Sequence, residues 1–241
     1  MNKSVIGFID KKFYNAYPVN WDNKLFRQKI LEVLQPEALL LDLGAGSGYV
    51  KEMNFKSEVK EVTGIDLDPG IAKNPFLHSY IIGSVYDLSV LGNKKFDVII
   101  CNSVIEHIDN PEKFVTEIMS MLKPGGFFFG KTPNKNHYVP VAAGITPLSF
   151  HKWFNRKRGR PDEHTFATHY RLNTPSTIQK YFSGPEWTKL KIETYEGPPS
   201  YLRMNFLLYT AGLVYERLVN VLKAYRFRMV IIFSVQKSNK V

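Results

Sequence analysis

At 241 residues the chain suits a single α/β domain, residues 1–241, carrying insertions, and it is long enough to bury a sizeable core. One cysteine, Cys101, excludes an internal disulfide framework and suits a reducing cytosol. The net charge of +10 is uneven: residues 150–180 hold seven Lys/Arg against two acids, residues 197–241 hold seven against one, and the other 18 basic and 19 acidic residues nearly cancel. Charge gathered in this way points to an anionic partner at those two segments. Met1–Asn2–Lys3–Ser4 leads into no apolar core of signal-peptide length, so a cytoplasmic protein is expected, with peripheral membrane contact as a further expectation.

In chain order, the first aromatics are Phe8, Phe13, Tyr14 and Tyr17, which predict a lid or an N-terminal helix over a ligand site. Asn20 or Asp22 is placed to cap a helix bearing Leu25, Phe26, Ile30, Leu31 and Leu34, and Pro36 ends it. Leu39–Leu43 is an apolar run of the kind buried on both faces of a sheet. Its carboxyl end carries Asp42, then glycine at every second position: Gly44, Gly46, Gly48. Glycine tolerates positive φ and lets a ligand approach the backbone, and a turn of this kind at a strand's carboxyl end is a ligand site of open α/β sheets. The spacing differs from the G-x-G-x-x-G of dinucleotide binders. A helix is expected over Tyr49–Phe55.

Glu61–Asp66 reads as a second buried strand ending in an acid, about 20 residues beyond the glycine loop, the distance at which an acid meets ribose hydroxyls. Pro69 opens the next predicted helix. Tyr80–Val85 is the third predicted strand and Phe96–Asn102 the fourth, with Cys101 as a buried thiol inside it. The loop Asn102–Ile108 contains Glu106 and His107, and Asn110–Pro111 starts a helix through Phe114, Ile118 and Leu122. Lys123–Gly126 is a predicted turn and Phe127–Lys131 the fifth strand. Residues 133–180 are too long for an ordinary loop and are read as an inserted cap. The cap interleaves Lys152, Arg156, Lys157, Arg158 and Arg160 with Trp153 and Phe154, then runs His164 to Thr174. Thr174–Pro175 starts a helix with Ile178 and Tyr181 turned inward. Strands six and seven are predicted at 187–195 and 227–235, separated by an insertion at 197–227. Within it Met204–Tyr215 is uncharged and apolar, too short to span a bilayer, and fits an interfacial helix or one docked on the cap or on a second subunit.

Taken together, the glycine loop, Asp66, the 96–108 stretch and Leu122–Phe129 resemble the class I S-adenosylmethionine-dependent methyltransferases, over about residues 20–135 and more loosely beyond. The resemblance implies a Rossmann-like α/β fold: a seven-stranded, mostly parallel sheet, an antiparallel last strand, and helices on both faces, here with the cap added. It implies S-adenosyl-L-methionine as cofactor. Gly44, Ala45, Gly46 and Gly48 would line its methionine part, with Asp42 orienting the amino group. Asp66 and Leu67 would take the ribose, Ser84 and Val85 the adenine edge, and Asn102 would lie beside them. An acid commonly stands where this chain has Ser84, with Asp87 as a substitute three residues on.

His107 is the leading candidate base, since histidine titrates near neutral pH, and His169 of the cap is its rival. Equally open is a role for Glu106–His107 in capping the loop or touching the cofactor. Glu106, Tyr170 and Arg171 are candidate substrate contacts. No acid or histidine set has the spacing of a metal site, so metal-independent transfer is expected. The chain lacks the Asn/Asp-Pro-Pro-aromatic motif of nucleic-acid amino methyltransferases, and Cys101 is not preceded by proline, so a nucleic-acid partner is not expected. O-methylation of a small-molecule or glycan-like acceptor, anionic or lipid-linked, is the leading reading, with a homodimer as an expected assembly. RNA methylation, or a non-catalytic cofactor-binding subunit, stays open as the alternative.

Overall fold

The structure is a computed structural model and describes residues 2–15, 17–18, 20–145, 167–203 and 205–239. The cap residues Lys152, Trp153, Phe154, Arg156, Lys157, Arg158, Arg160, and the stretch His164–Phe166, lie outside them.

Seven strands form one sheet in the order β3-β2-β1-β4-β5-β7-β6. They are β1 (Leu39–Leu43), β2 (Glu61–Asp66), β3 (Ser79–Ile82), β4 (Phe96–Asn102), β5 (Leu122–Pro133), β6 (Trp187–Tyr195) and β7 (Val230–Lys237). Neighbours among β1–β5 run parallel, and β7 is antiparallel to both β5 and β6. Among the described residues the helices are α1 (Asn2–Phe13), α2 (Trp21–Leu31), α3 (Pro111–Met121), α4 (Tyr138–Ile145), α5 (Pro175–Tyr181) and α6 (Phe206–Val221).

Continuous apolar runs in the central strands are explained by burial on both faces. Leu41, Leu43, Ile99 and Phe128 point to one face and join Phe114 and Ile118 of α3 and Ile178 of α5. Leu40, Val98, Ile100 and Phe129 point to the other and join Phe26 and Ile30 of α2. The strand order reverses between β1 and β4, so their carboxyl ends open the crevice where ligands of such sheets bind.

Differences from the sequence expectations have local causes. After the glycine loop there is only a single 3-10 turn, Lys51–Met53, bounded by Val50 and Asn54 in extended backbone, instead of a helix over 49–55. Pro69 likewise opens a 3-10 turn, Pro69–Lys73, closed by extended Asn74. Asn20 stands before α2 in a left-handed conformation and makes no side-chain cap. The expected turn at 123–126 is a bulge within β5, where the β4 register jumps from Phe96↔Leu122 to Val98↔Phe127 and Gly125 takes φ 77°. Asn110 does cap α3, accepting from the Lys113 N–H at 3.0 Å. Thr174 and Thr177 form a reciprocal cap on α5.

The N-terminal aromatics do not cover the sheet's carboxyl edge as a helix. Ile6 and Ile9 of α1, with Tyr14 just beyond it, pack against Tyr209 of α6, and the Tyr14 hydroxyl donates to Glu216. Between β6 and β7 the chain forms a 3-10 turn (Ser200–Leu202), α6 and a second 3-10 turn (Tyr225–Phe227). Asn134, at the end of β5, donates to the carbonyls of Arg226 and Arg228 and ties this insertion to the sheet. Among the described residues no helix is long and apolar enough to cross a membrane.

Candidate active site

The glycine loop is shaped by three positive φ values, 75° at Gly44, 53° at Gly46 and 83° at Gly48. A Cβ on Gly44 would sit 2.2 Å from Val104 Cγ2, so the loop packs directly under the segment that follows β4. At Gly46 a Cβ would meet nothing within 4 Å, which leaves the loop open on the ligand side. Asp66, at the end of β2, accepts from the Gly46 N–H through one oxygen and from the Asp68 N–H through the other, both at 2.8 Å. Each oxygen keeps a second lone pair for a ligand hydroxyl. Asn74 braces the loop from below, donating to the carbonyls of Ala45 and Gly46 at 2.9 and 3.0 Å.

Three recesses meet at this edge, and Asn102 lines all of them. The first, about 140 Å³, holds Asp42, Gly44, Ala45, Gly46 and Gly48. The second, about 440 Å³, is lined by Asp66, Leu67, Ser84, Val85, His107 and His169. The third, about 670 Å³, contains Tyr17, Trp21, Glu106, Lys131, Tyr201 and Arg203. Asp87 is not in this lining; it accepts from Ser89 instead.

Asp42 is 5 % exposed, and its pKa rises to about 7 because of burial first and the neighbouring Asp66 charge second. A buried acid of this kind is stabilised by a cation brought to it, and an α-ammonium group supplies one. The open glycine loop, the ribose-distance acid and the buried Asp42 therefore fit S-adenosylmethionine. The sign of the linkage gives a prediction. With a pKa of about 7 Asp42 is half protonated near pH 7 in the free protein, and an ammonium held there would bind the carboxylate form alone. Affinity for S-adenosylhomocysteine is expected to rise with pH between about 6 and 8 and to level off above, and Asp42→Asn to bind weakly with no such rise. Titration calorimetry across this range checks it; a flat profile in the wild type removes the ammonium from Asp42.

The segment after β4 is held by an unusual backbone. Ser103 takes φ 59° and its N–H donates to Lys131 O at 2.9 Å, turning the chain so that Ile105–His107 forms a 3-10 turn over the edge. His107 Nδ1 lies 2.8 Å from Ala167 O, and since a carbonyl only accepts, Nδ1 carries the proton and Nε2 is the basic nitrogen. The returning cap segment lies on the same turn: the His169 and Tyr170 N–H groups donate to Glu106 O at 2.8 and 3.2 Å. The rival bases His107 and His169 thus share one recess. The Glu106 side chain is buried, accepts from Thr132 Oγ1 at 3.3 Å, and has its pKa raised by burial, against the lowering effects of His107 and Lys131. Asn173 donates to Thr132 in turn, at 2.5 Å. Tyr170 is half-buried at φ 50°, with its hydroxyl pKa raised by burial and then by Glu106. Arg171 sits apart, in an outer depression with Asp109, Glu112 and Tyr181.

Several residues of the site were not anticipated. Asn74 reads in sequence as an ordinary Asn-Pro turn. Lys131 left a signal, a lone charge ending the apolar run Phe127–Gly130; it is 4 % exposed and pairs with Asp22 at 2.6 Å and with Asn23. Among the described residues no group of three or more histidine, cysteine or acidic side chains is placed to hold a metal ion.

A family model described as a methyltransferase domain matches residues 21–190. With the seven-stranded order and the glycine loop, this places the chain in the class I S-adenosylmethionine-dependent methyltransferase family. Among curated proteins it is 35 % identical over 111 residues to a ubiquinone biosynthesis O-methyltransferase of Xanthomonas campestris, covering 43 % of this chain and 46 % of that one. A second, from Xanthomonas euvesicatoria, is 35 % identical over 106 residues, covering 41 % and 44 %. The chain thus spans less than half the length of the curated relatives it matches. In fold it is similar to a SAM-dependent methyltransferase of Archaeoglobus fulgidus, with TM-score 0.59 at 17 % identity over 89 % of this chain and 92 % of that one. It is also similar to a phosphoethanolamine N-methyltransferase 2 of Haemonchus contortus in complex with S-adenosyl-L-methionine, with TM-score 0.54 at 16 % identity over 97 % and 60 %.

Proposed function

We propose that the protein methylates a hydroxyl group of a ring-bearing small molecule held in the third recess. The observation that carries this reading is the junction at Asn102, where a recess suited to the cofactor's methionine end, one suited to its nucleoside and a separate larger recess converge. Bound S-adenosylmethionine supplies an electrophilic methyl group on a sulfonium. Asp42 holds the ammonium, Asp66 the ribose, and Ser84 with the Val85 backbone the adenine edge. Tyr17, Trp21 and Tyr201 offer flat apolar surface to an acceptor ring, either a phenol or a sugar. His107 lines the neighbouring recess, its ring fixed by the Ala167 carbonyl, and its Nε2 takes the proton of a hydroxyl that reaches from the third recess to the Asn102 junction. The curated relatives, named as O-methyltransferases, support hydroxyl over amine as the acceptor group.

The test is release of S-adenosylhomocysteine with panels of catechols and of sugar hydroxyls. Turnover on either panel supports the reading; turnover on amines alone overturns it. In the same assay His107→Ala is expected to lower kcat by more than about tenfold, with the pH dependence of kcat flattened and the Kd for S-adenosylhomocysteine nearly unchanged. If His169→Ala does this and His107→Ala does not, the base belongs to the cap.

A further inference from the structure

Helix α6 is apolar on two opposite sides. Tyr209, Gly212, Glu216 and Val219 are buried, toward α1 and the 200–202 turn. Phe206 and Leu213 lean the same way, onto Ile6, Ile9 and Tyr14. On the far side Leu207, Val214, Leu218 and Val221 are 64 %, 52 %, 53 % and 77 % exposed. With exposed Ala211, their spacing alternates four and three residues, one unbroken stripe along a helix about 24 Å long. A helix apolar on both sides has its natural place between two apolar media, and a stripe of this length is unusual on a monomer surface.

The surrounding charge selects the second medium. Exposed Arg217, Lys223 and Arg226 flank the stripe and its end. The two nearby acids are turned inward. Asp10 accepts from the Tyr209 hydroxyl at 2.6 Å and pairs with Arg203. Glu216 is 2 % exposed and takes Tyr14, Asn220 and the Nε of Arg217, whose side chain stays 49 % exposed. Residues 204–228 contain no other acid. A second copy seated on this stripe by two-fold symmetry would set these cations against their own equivalents with no acid between them. An anionic lipid surface satisfies the stripe and the cations together.

We propose that α6 docks this protein on an anionic bilayer, lying in the interface with its outer stripe among the acyl chains. Tyr201 and Arg203 line the third recess and Phe206 begins the helix three residues later, so docking sets that recess beside the lipid. The proposal stands on the surface of α6 and the cations beside and after it, and does not depend on which acceptor is methylated.

Flotation of the full chain with phosphatidylcholine vesicles, with and without phosphatidylglycerol, tests it. Binding is expected with phosphatidylglycerol and to weaken as salt screens the exposed cations. Leu207→Asp with Leu218→Asp, both at exposed positions, is expected to lower partitioning by at least about tenfold. Charge reversal in Lys223→Glu with Arg226→Glu should lower it too. Both variants should keep the wild-type melting temperature and affinity for S-adenosylhomocysteine, so that lost docking is separate from a lost site. Equal binding to neutral vesicles, or unchanged binding by the Asp variant, overturns the proposal. So does a dimer, seen by light scattering, that the Asp variant dissociates, because a second copy is then the occupant.

Discussion

Asp66→Ala is expected to weaken binding of S-adenosylhomocysteine by more than tenfold, and by more than loss of the ribose contacts alone. The carboxylate has two jobs in this structure. By the proposed assignment it offers lone pairs to the ribose hydroxyls, and charged hydrogen bonds of that type contribute about 1.5–3 kcal/mol each. It also accepts from the Gly46 and Asp68 N–H groups at 2.8 Å, which fixes the glycine loop against β2. Alanine removes both, so the loop must be ordered afresh by the ligand. Asp66→Asn keeps one acceptor oxygen and should fall between the two. Calorimetry on the folded variants measures this, and an Asp66→Ala variant that binds as wild type would place the ribose elsewhere.

Phe128→Ala is expected to lower folding stability by about 3–5 kcal/mol, a large part of the 5–15 kcal/mol available to a typical domain. The ring is fully buried, stacked on Phe182 with centroids 5.6 Å apart, and edge-on to Phe114 and Phe233 at 6.2 and 5.6 Å. It packs β5 against α3, β7 and the residue that ends α5 within one aromatic cluster. Other rings cannot close the cavity without breaking their own contacts. Urea denaturation, read as a midpoint shift at constant slope, gives the value; a loss below about 1 kcal/mol would show that the cluster repacks.

The central strands were readable because their burial is two-sided and their ends are punctuated. Phe96–Asn102 begins and ends where the apolar run does, while the edge strand Trp187–Tyr195 alternates only imperfectly. The glycine loop and Asp66 were readable because the chemistry of a backbone-hugging ligand restricts which residues can stand there. The bracing by Asn74 was not, since it acts through a side chain reaching back to carbonyls far away in sequence. Nor could periodicity say which side of α6 faces out. Phe206 and Leu213 belong to the same apolar run as Leu207 and Val214, and only packing against α1 separates inner from outer. The meeting of His107 with residues 167–169 depends on the path of the cap, which local sequence does not encode.

The three-residue turn at Lys51–Met53 has a consequence for selectivity among nucleotides. In dinucleotide-binding sheets a full helix follows the glycine loop, and its first N–H groups and positive dipole end receive a pyrophosphate. Here no such helix end faces the loop, the Gly46 N–H is already given to Asp66, and the buried acid Asp42 forms the floor. The electrostatic sign of the turn is thereby inverted. A loop of this sign favours a positive group over a diphosphate, so NAD and FAD are expected to bind more weakly than S-adenosylhomocysteine, which calorimetry with each checks.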